Sequence, residues 1–165
     1  MTWINRKDAA TALESALAHR PELLERYRAF YGSFWEDGLV PRRTLELCRL
    51  RIAAIHDCQA EWLVRDPQAG VAPAELANLR SGSFAGFAPA EEAALQLAEQ
   101  LPFAHHQITD AQVAAVKGAL GEAGCVSLLT ALAFFDVSCR LRLALDLAAE
   151  PVELDQPPLR DGALA

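Results

Sequence analysis

The sequence predicts an all-α fold, and three observations carry that expectation. Nearly every segment repeats apolar residues at three- and four-residue spacing. No stretch alternates β-branched and polar residues between turn signals, and the strongest Pro and Gly breaks fall between the periodic segments. The chain has 165 residues, of which 52% are apolar and 22% charged. That suits a single domain with a substantial core and excludes a disordered or linker-like chain. The domain is expected over residues 1–150, with a Pro-containing tail over 151–165 that is extended or disordered unless it crosses to a neighbouring subunit.

About seven to eight helices follow in order. Asp8 can cap a first one carrying Ala9, Leu13 and Leu17, and Pro21 suits the first position of a second carrying Leu23, Leu24, Tyr27 and Phe30. Tyr27, Phe30, Tyr31, Phe34 and Trp35 crowd its C-terminal part, either as core packing or as one wall of an apolar ligand pocket. After the Gly38–Pro41 break a long helix runs from about Arg42 to Ile55. Its stripe is Leu45, Cys48, Ile52 and Ile55, and Arg42, Arg43, Arg49 and Arg51 mostly face elsewhere. His56-Asp57 reads as a turn, with Asp57 capping a helix from Cys58 to about Arg65. Pro73 opens a short helix to Leu79, and the loop-like run from Ser81 to Phe87 precedes another helix at Pro89. Thr109 caps the next, with Val113, Val116 and Leu120 inside. After Gly121–Gly124 the last helix reaches about Ala149. Its apolar run Cys125–Val137 falls short of the ~20 residues of a membrane span, so a helix surrounded by protein is expected and no membrane partner.

With 22 acidic residues against 15 Lys and Arg the formal charge is −7, and no basic stripe could follow a phosphate backbone, so nucleic acid is not an expected partner. The N-terminus lacks the apolar segment of a signal peptide, which points to a reducing cytoplasm. Cys48, Cys58, Cys125 and Cys139 include no C-x-x-C pair, and no ligands show the spacing of a metal site. Neither metal nor cofactor is expected. His105-His106 are adjacent in a loop and point in different directions.

The stretch from Leu39 to Trp62 (LVPRRTLELCRLRIAAIHDCQAEW) resembles the signature of the carboxymuconolactone decarboxylase and AhpD-like alkylhydroperoxidase superfamily. In that family a helical Glu is followed, after eleven residues, by Cys-x-x-Cys and then, after three more, by His. Glu46 and Cys58 stand at the first two positions, Glu61 replaces the second Cys and Arg65 the His. Segments 87–101, 108–120 and 128–145, including Ala133-Phe134-Phe135-Asp136 and Arg140, are similar to the rest of a peroxidase-related member. The resemblance spans about 35–147 and implies an AhpD-like helical bundle that assembles as a dimer, trimer or hexamer. It also implies that the second Cys attacks peroxide, the first closes the disulfide, and Glu and His relay protons. Only the resolving thiol and the relay Glu carry over.

Geometry adds an expectation of its own. If the helices around His56-Asp57 form an αα-hairpin, residue 46 faces about residue 65 and residue 61 lies one turn away. This predicts a buried cluster in which Arg65 holds Glu46 and Glu61 together, as a proton-handling site or as an ion pair tying two helices. Cys58 at a helix N-terminus is the best candidate for a reactive thiol, and His56 is near enough to act as its base or else simply caps a helix. Cys48 reads as core. Three functions stay open. One is a thiol-dependent, peroxidase-related antioxidant enzyme using Cys58, Glu46 and His56 with a thiol reductant. Another is a decarboxylase or lactone-acting enzyme on a small organic substrate, with Arg65 holding a carboxylate and Glu46 or Glu61 as acid-base. The third is a non-catalytic oligomer or apolar-ligand binder.

Overall fold

Helix α3 (Arg42–Ile55) is the centre of the molecule, because every residue from Thr44 to Ala53 is buried. A helix enclosed on all sides must satisfy whatever polar groups it carries. The computed structural model describes residues 3–149 and 151–153 and shows how. Arg43 reaches Glu91 at 2.8 Å, Glu75, and the carbonyl of Gly70. Arg51 pairs with Glu99 and donates to the carbonyl of Leu79 at 2.7 Å. Arg42 meets Asp66 at 2.5 Å. The α3 arginines expected to face away from the core therefore clamp α3 to its neighbours, and Arg49 and Arg51 are themselves buried.

The other described helices are α1 (Ala12–Leu17), α2 (Pro21–Glu36), α4 (Gln59–Trp62), α5 (Pro73–Ser81), α6 (Pro89–Ala104) and α7 (Asp110–Ala144). The cap of α1 is Thr11, whose hydroxyl accepts from the Glu14 amide at 3.2 Å, rather than Asp8. Thr109 caps α7 in a reciprocal box with Gln112, as expected. Helix α7 is two straight pieces joined at Gly121, where φ +72° and ψ 178° suit glycine alone; the break falls where the glycines predict it. Its end is Ala144 rather than Ala149.

Helices α6 and α7 pack on α3, and α2 lies against α7. The α2 aromatics surround Phe134 and Phe135: ring centroids of Tyr27 and Phe30 lie 5.4 and 5.2 Å from Phe134, and that of Trp35 6.1 Å from Phe135. Tyr31 and Phe34 are buried in the core and Tyr27 and Trp35 pack against it, whereas Phe30 is 47% exposed. Helix α7 is long and apolar enough to cross a membrane by composition, yet Cys125, Leu128, Ala131, Leu132, Phe135 and Cys139 are buried inside the bundle. Val64–Arg65 (β1) and Val152–Glu153 (β2) form a two-residue parallel ladder. The remainder of the expected tail, 154–165, lies outside the described residues.

Candidate functional site

The chain reverses direction after α3 because Asp57 adopts φ +48°, a left-handed conformation that Asp tolerates better than most residues. Cys58, not Asp57, then caps α4, which lasts a single turn before the backbone extends at Val64. This early exit decides the site. Glu46 does face residues 64–66, for its Oε1 accepts from the Asp66 amide at 3.2 Å. The side chain of Arg65, however, turns outward over the Trp62 ring, 5.0 Å from the centroid, and donates to the carbonyl of Val64. Arg80 lies over the same ring at 4.5 Å.

The guanidinium that joins Glu46 to Glu61 belongs to Arg49. Its Nε and Nη2 grip Glu46 at 2.8 and 2.7 Å, and Nη1 donates to Glu61 Oε1 at 2.6 Å and to the Glu61 carbonyl at 2.9 Å. Nη2 also reaches the carbonyl of Val64 at 2.7 Å. Arg142 from α7 completes the group, with Nε 2.5 Å from Glu61 Oε2. That last contact is a charge pair without hydrogen-bond alignment, and Arg142 Nη1 finds no acceptor. Two carboxylates and two guanidiniums cancel, which is the condition for holding four charges at 5% exposure or less. The expected cluster exists with Arg49 and Arg142 in the place given to Arg65.

The electrostatics follow from that pairing. Burial alone pushes Glu61 up, but Arg142 and Arg49 outweigh it and hold the carboxyl below its ordinary range. Burial works against charge on Arg49 and Arg142 as well, yet the carboxylates raise both above the usual arginine value. Glu61, Arg49 and Arg142 are therefore ionised at neutral pH.

Cys58 borders this group. Its thiol is wholly buried and donates to the carbonyl oxygen of Cys139 at 3.9 Å. The Cys139 side chain is the largest influence lowering the Cys58 pKa; burial and the Glu61 carboxylate oppose it, and the Glu61 amide and Arg142 assist. Cys139 is driven the opposite way, first by the Cys58 side chain and then by burial. Burial also pushes Cys48 up, as befits the core residue expected there. His56 turns to α7: Nε2 is 2.6 Å from Asp136 Oδ1, Arg140 Nε holds Asp136 Oδ2 at 2.9 Å, and the imidazole stacks on Phe103 at 4.9 Å. No hydrogen bond joins His56 to Cys58 among the described residues. His105 and His106 are exposed, and no group of three metal-ligating side chains occurs among the described residues.

Arg49, Arg142 and Cys139 are the site residues that sequence reasoning missed. Their signals are present: Arg49 lies three residues after Glu46, and Ser138, Cys139 and Arg142 continue the buried stripe of Leu128, Ala131, Leu132 and Phe135 at three- and four-residue spacing.

A model of the carboxymuconolactone decarboxylase family matches residues 21–100, which hold α2 to most of α6 and therefore Glu46, Arg49, Cys58 and Glu61. Among curated proteins, none matches the chain. A crystal structure described as an alkylhydroperoxidase AhpD core, an uncharacterized peroxidase-related protein from Ralstonia eutropha JMP134, is similar with a TM-score of 0.69. The match covers 84% of this chain and 76% of that one at 18% identity, a likeness of fold. With the family match on the segment that builds the site and a similar all-α architecture around it, the chain resembles the carboxymuconolactone decarboxylase and AhpD-like superfamily.

Proposed function

We propose that this chain is a peroxidase-related, thiol-dependent antioxidant member of its family, acting through Cys58. One observation carries the reading: Cys58 holds the motif position that follows Glu46 after eleven intervening residues, beside the Glu61–Arg142 pair, and its pKa is lowered by the Cys139 side chain, the Glu61 amide and Arg142 against burial and the Glu61 carboxylate. A hydroperoxide reacts with thiolate, not thiol, so this is the residue where such chemistry begins. Glu61 holds Arg142 beside the thiol, and Glu46 holds Arg49 behind Glu61, so both carboxylates act as positioning groups rather than mobile relays. His56, fixed by Asp136, positions the turn that carries Cys58. Free thiols suit a reducing, cytoplasmic setting and a thiol reductant as partner. A homo-oligomer is proposed from the exposed face of α7, where Val126, Val137 and Leu141 lie in line.

Peroxide consumption with a thiol reductant, native against Cys58→Ser, tests the reading. Activity is expected in the native chain and loss in the variant; activity surviving the substitution would overturn it. One observation favours a second reading as a decarboxylase or lactone-acting enzyme. Arg65 and Arg80 share the Trp62 face, and among the described residues Arg65 has only a backbone carbonyl as acceptor, a place where a substrate carboxylate could bind. That reading must supply its own acid-base, because Glu46 and Glu61 are sealed behind Arg49. Saturable binding of a small dicarboxylate, lost in Arg65→Ala, would support it. A chain inert in both assays would be the non-catalytic member.

A further inference from the structure

The geometry points to Cys58 and Cys139 as one redox couple: hydroperoxide oxidises Cys58, Cys139 closes an intramolecular disulfide with it, and a dithiol reductant reopens that disulfide. This rests on the thiol-peroxidase reading above and adds the second sulfur, which comes from α7 rather than from the segment that carries Cys58. The two residues are 81 positions apart in the chain, yet the Cys58 thiol donates to the Cys139 carbonyl oxygen at 3.9 Å, where α4 packs against α7. Both side chains have no solvent exposure, so they are each other's neighbours in a dry setting. A disulfide needs the sulfurs at ~2.05 Å, so the couple closes by rotamer change and an approach of the two segments. Cys58 can make that approach, because it sits at the entrance of the single-turn α4, and a helix this short is held by packing rather than by its own hydrogen bonds.

The polarity of the pair assigns the roles. The surroundings lower the Cys58 pKa and raise that of Cys139, so Cys58 gives up its proton first and Cys139 keeps its own. In the first step the Cys58 thiolate attacks the terminal oxygen of ROOH. The O–O bond breaks, an S–O bond forms, and RO⁻ takes a proton to leave as ROH, giving the Cys58 sulfenic acid. Cys139 then attacks the Cys58 sulfur; the S–S bond forms, the S–O bond breaks, and hydroxide leaves with the Cys139 proton as water. The protein has lost two electrons and two protons to the peroxide. A dithiol returns both by two thiol–disulfide exchanges and is itself oxidised.

The test is intact-mass and peptide mapping of the full native chain after one equivalent of cumene hydroperoxide, with diamide as a second oxidant that needs no peroxide chemistry. The expected product is lighter by ~2 Da and yields a Cys58–Cys139 cross-linked peptide, which dithiothreitol reverses. Cys139→Ser and Cys139→Ala should instead stop at a Cys58 sulfenic acid, heavier by ~16 Da and trapped by dimedone. The native measurement requires no variant, so a folding defect in either substitution does not decide the outcome. A native product that stops at the ~16 Da sulfenic acid, with no cross-link from diamide, overturns the couple while leaving Cys58 as a peroxide-reactive thiol. A cross-link from diamide with no reaction toward hydroperoxide keeps the couple and overturns the peroxidase reading. No cross-link with either oxidant and no sulfenic acid overturns both.

Discussion

Replacing Arg49 by Met tests which guanidinium holds the site. Arg49 makes five hydrogen bonds, three to the carboxylates of Glu46 and Glu61 and two to the carbonyls of Glu61 and Val64, all between 2.6 and 2.9 Å. Methionine fills much of the stem volume but leaves Glu46, 1% exposed, with the Asp66 amide at 3.2 Å as its remaining hydrogen-bond donor. Removing one partner of a buried ion pair costs about 3–5 kcal/mol. That is a large part of a domain's total stability, and at this chain length it lowers Tm by roughly 6–20 °C. Arg65→Ala, which removes a half-buried stack on Trp62 and one bond to a backbone carbonyl, should cost about 1 kcal/mol or less. Urea unfolding of both variants, with the slope against denaturant unchanged, gives the comparison. Glu46→Gln combined with Arg49→Met should recover part of the loss by removing the stranded charge. Equal cost for Arg65→Ala and Arg49→Met would refute the assignment, as would Arg49→Met within about 1 kcal/mol of native.

Acid should expose the same network. Glu61 has a native pKa below its ordinary 4.5, so its contribution is fully present above that value and is lost as pH falls through the native one; Glu61→Gln should flatten the stability profile below about pH 5, read by thermal unfolding. Gly121→Ala forces a side chain onto φ +72°, ψ 178° and should cost about 1–3 kcal/mol by denaturant melt, although nothing lies within 4 Å of the added carbon. Val137→Glu should shift the protein toward monomer in sedimentation velocity without unfolding it, since Val137 is 46% exposed on the α7 face; an unchanged mass would place any interface elsewhere.

Helical periodicity located α2, α3, α6 and α7 well, because each carries a face that must be buried and each begins at a proline or a capping threonine. The failures have separate causes. An αα-hairpin of two full helices would have pointed Arg65 at Glu46, but α4 ends after one turn and the extended backbone at Val64 rotates the next side chain outward. Backbone register was legible while side-chain direction was not, so residue 46 met residues 64–66 through Asp66 and not through Arg65. Arg49 was hidden by the assumption that an arginine on a helix faces water. On α3, enclosed all round, the guanidinium has no water to reach and takes carboxylates instead. Cys139 and Arg142 were hidden by distance in sequence, since nothing local says that the C-terminal part of α7 packs against α4.

The charge at position 61 explains why the site has the composition it has. A carboxylate buried beside Cys58 is tolerable only with cations in contact, and Glu61 has two, from α3 and from α7. Those cations in turn need anions: without Glu61, Arg142 would lose its ion-pair partner and Arg49 would keep only Glu46. Glu61, Arg49 and Arg142 are therefore mutually dependent, and a thiol at position 61 would leave one buried guanidinium uncompensated. The same arrangement sets α7 against α4 at the level of residues 139–142, because the Arg142 contact lies one helical turn from Cys139. The ion pair that excludes a second sulfur from the motif thereby brings one in from α7.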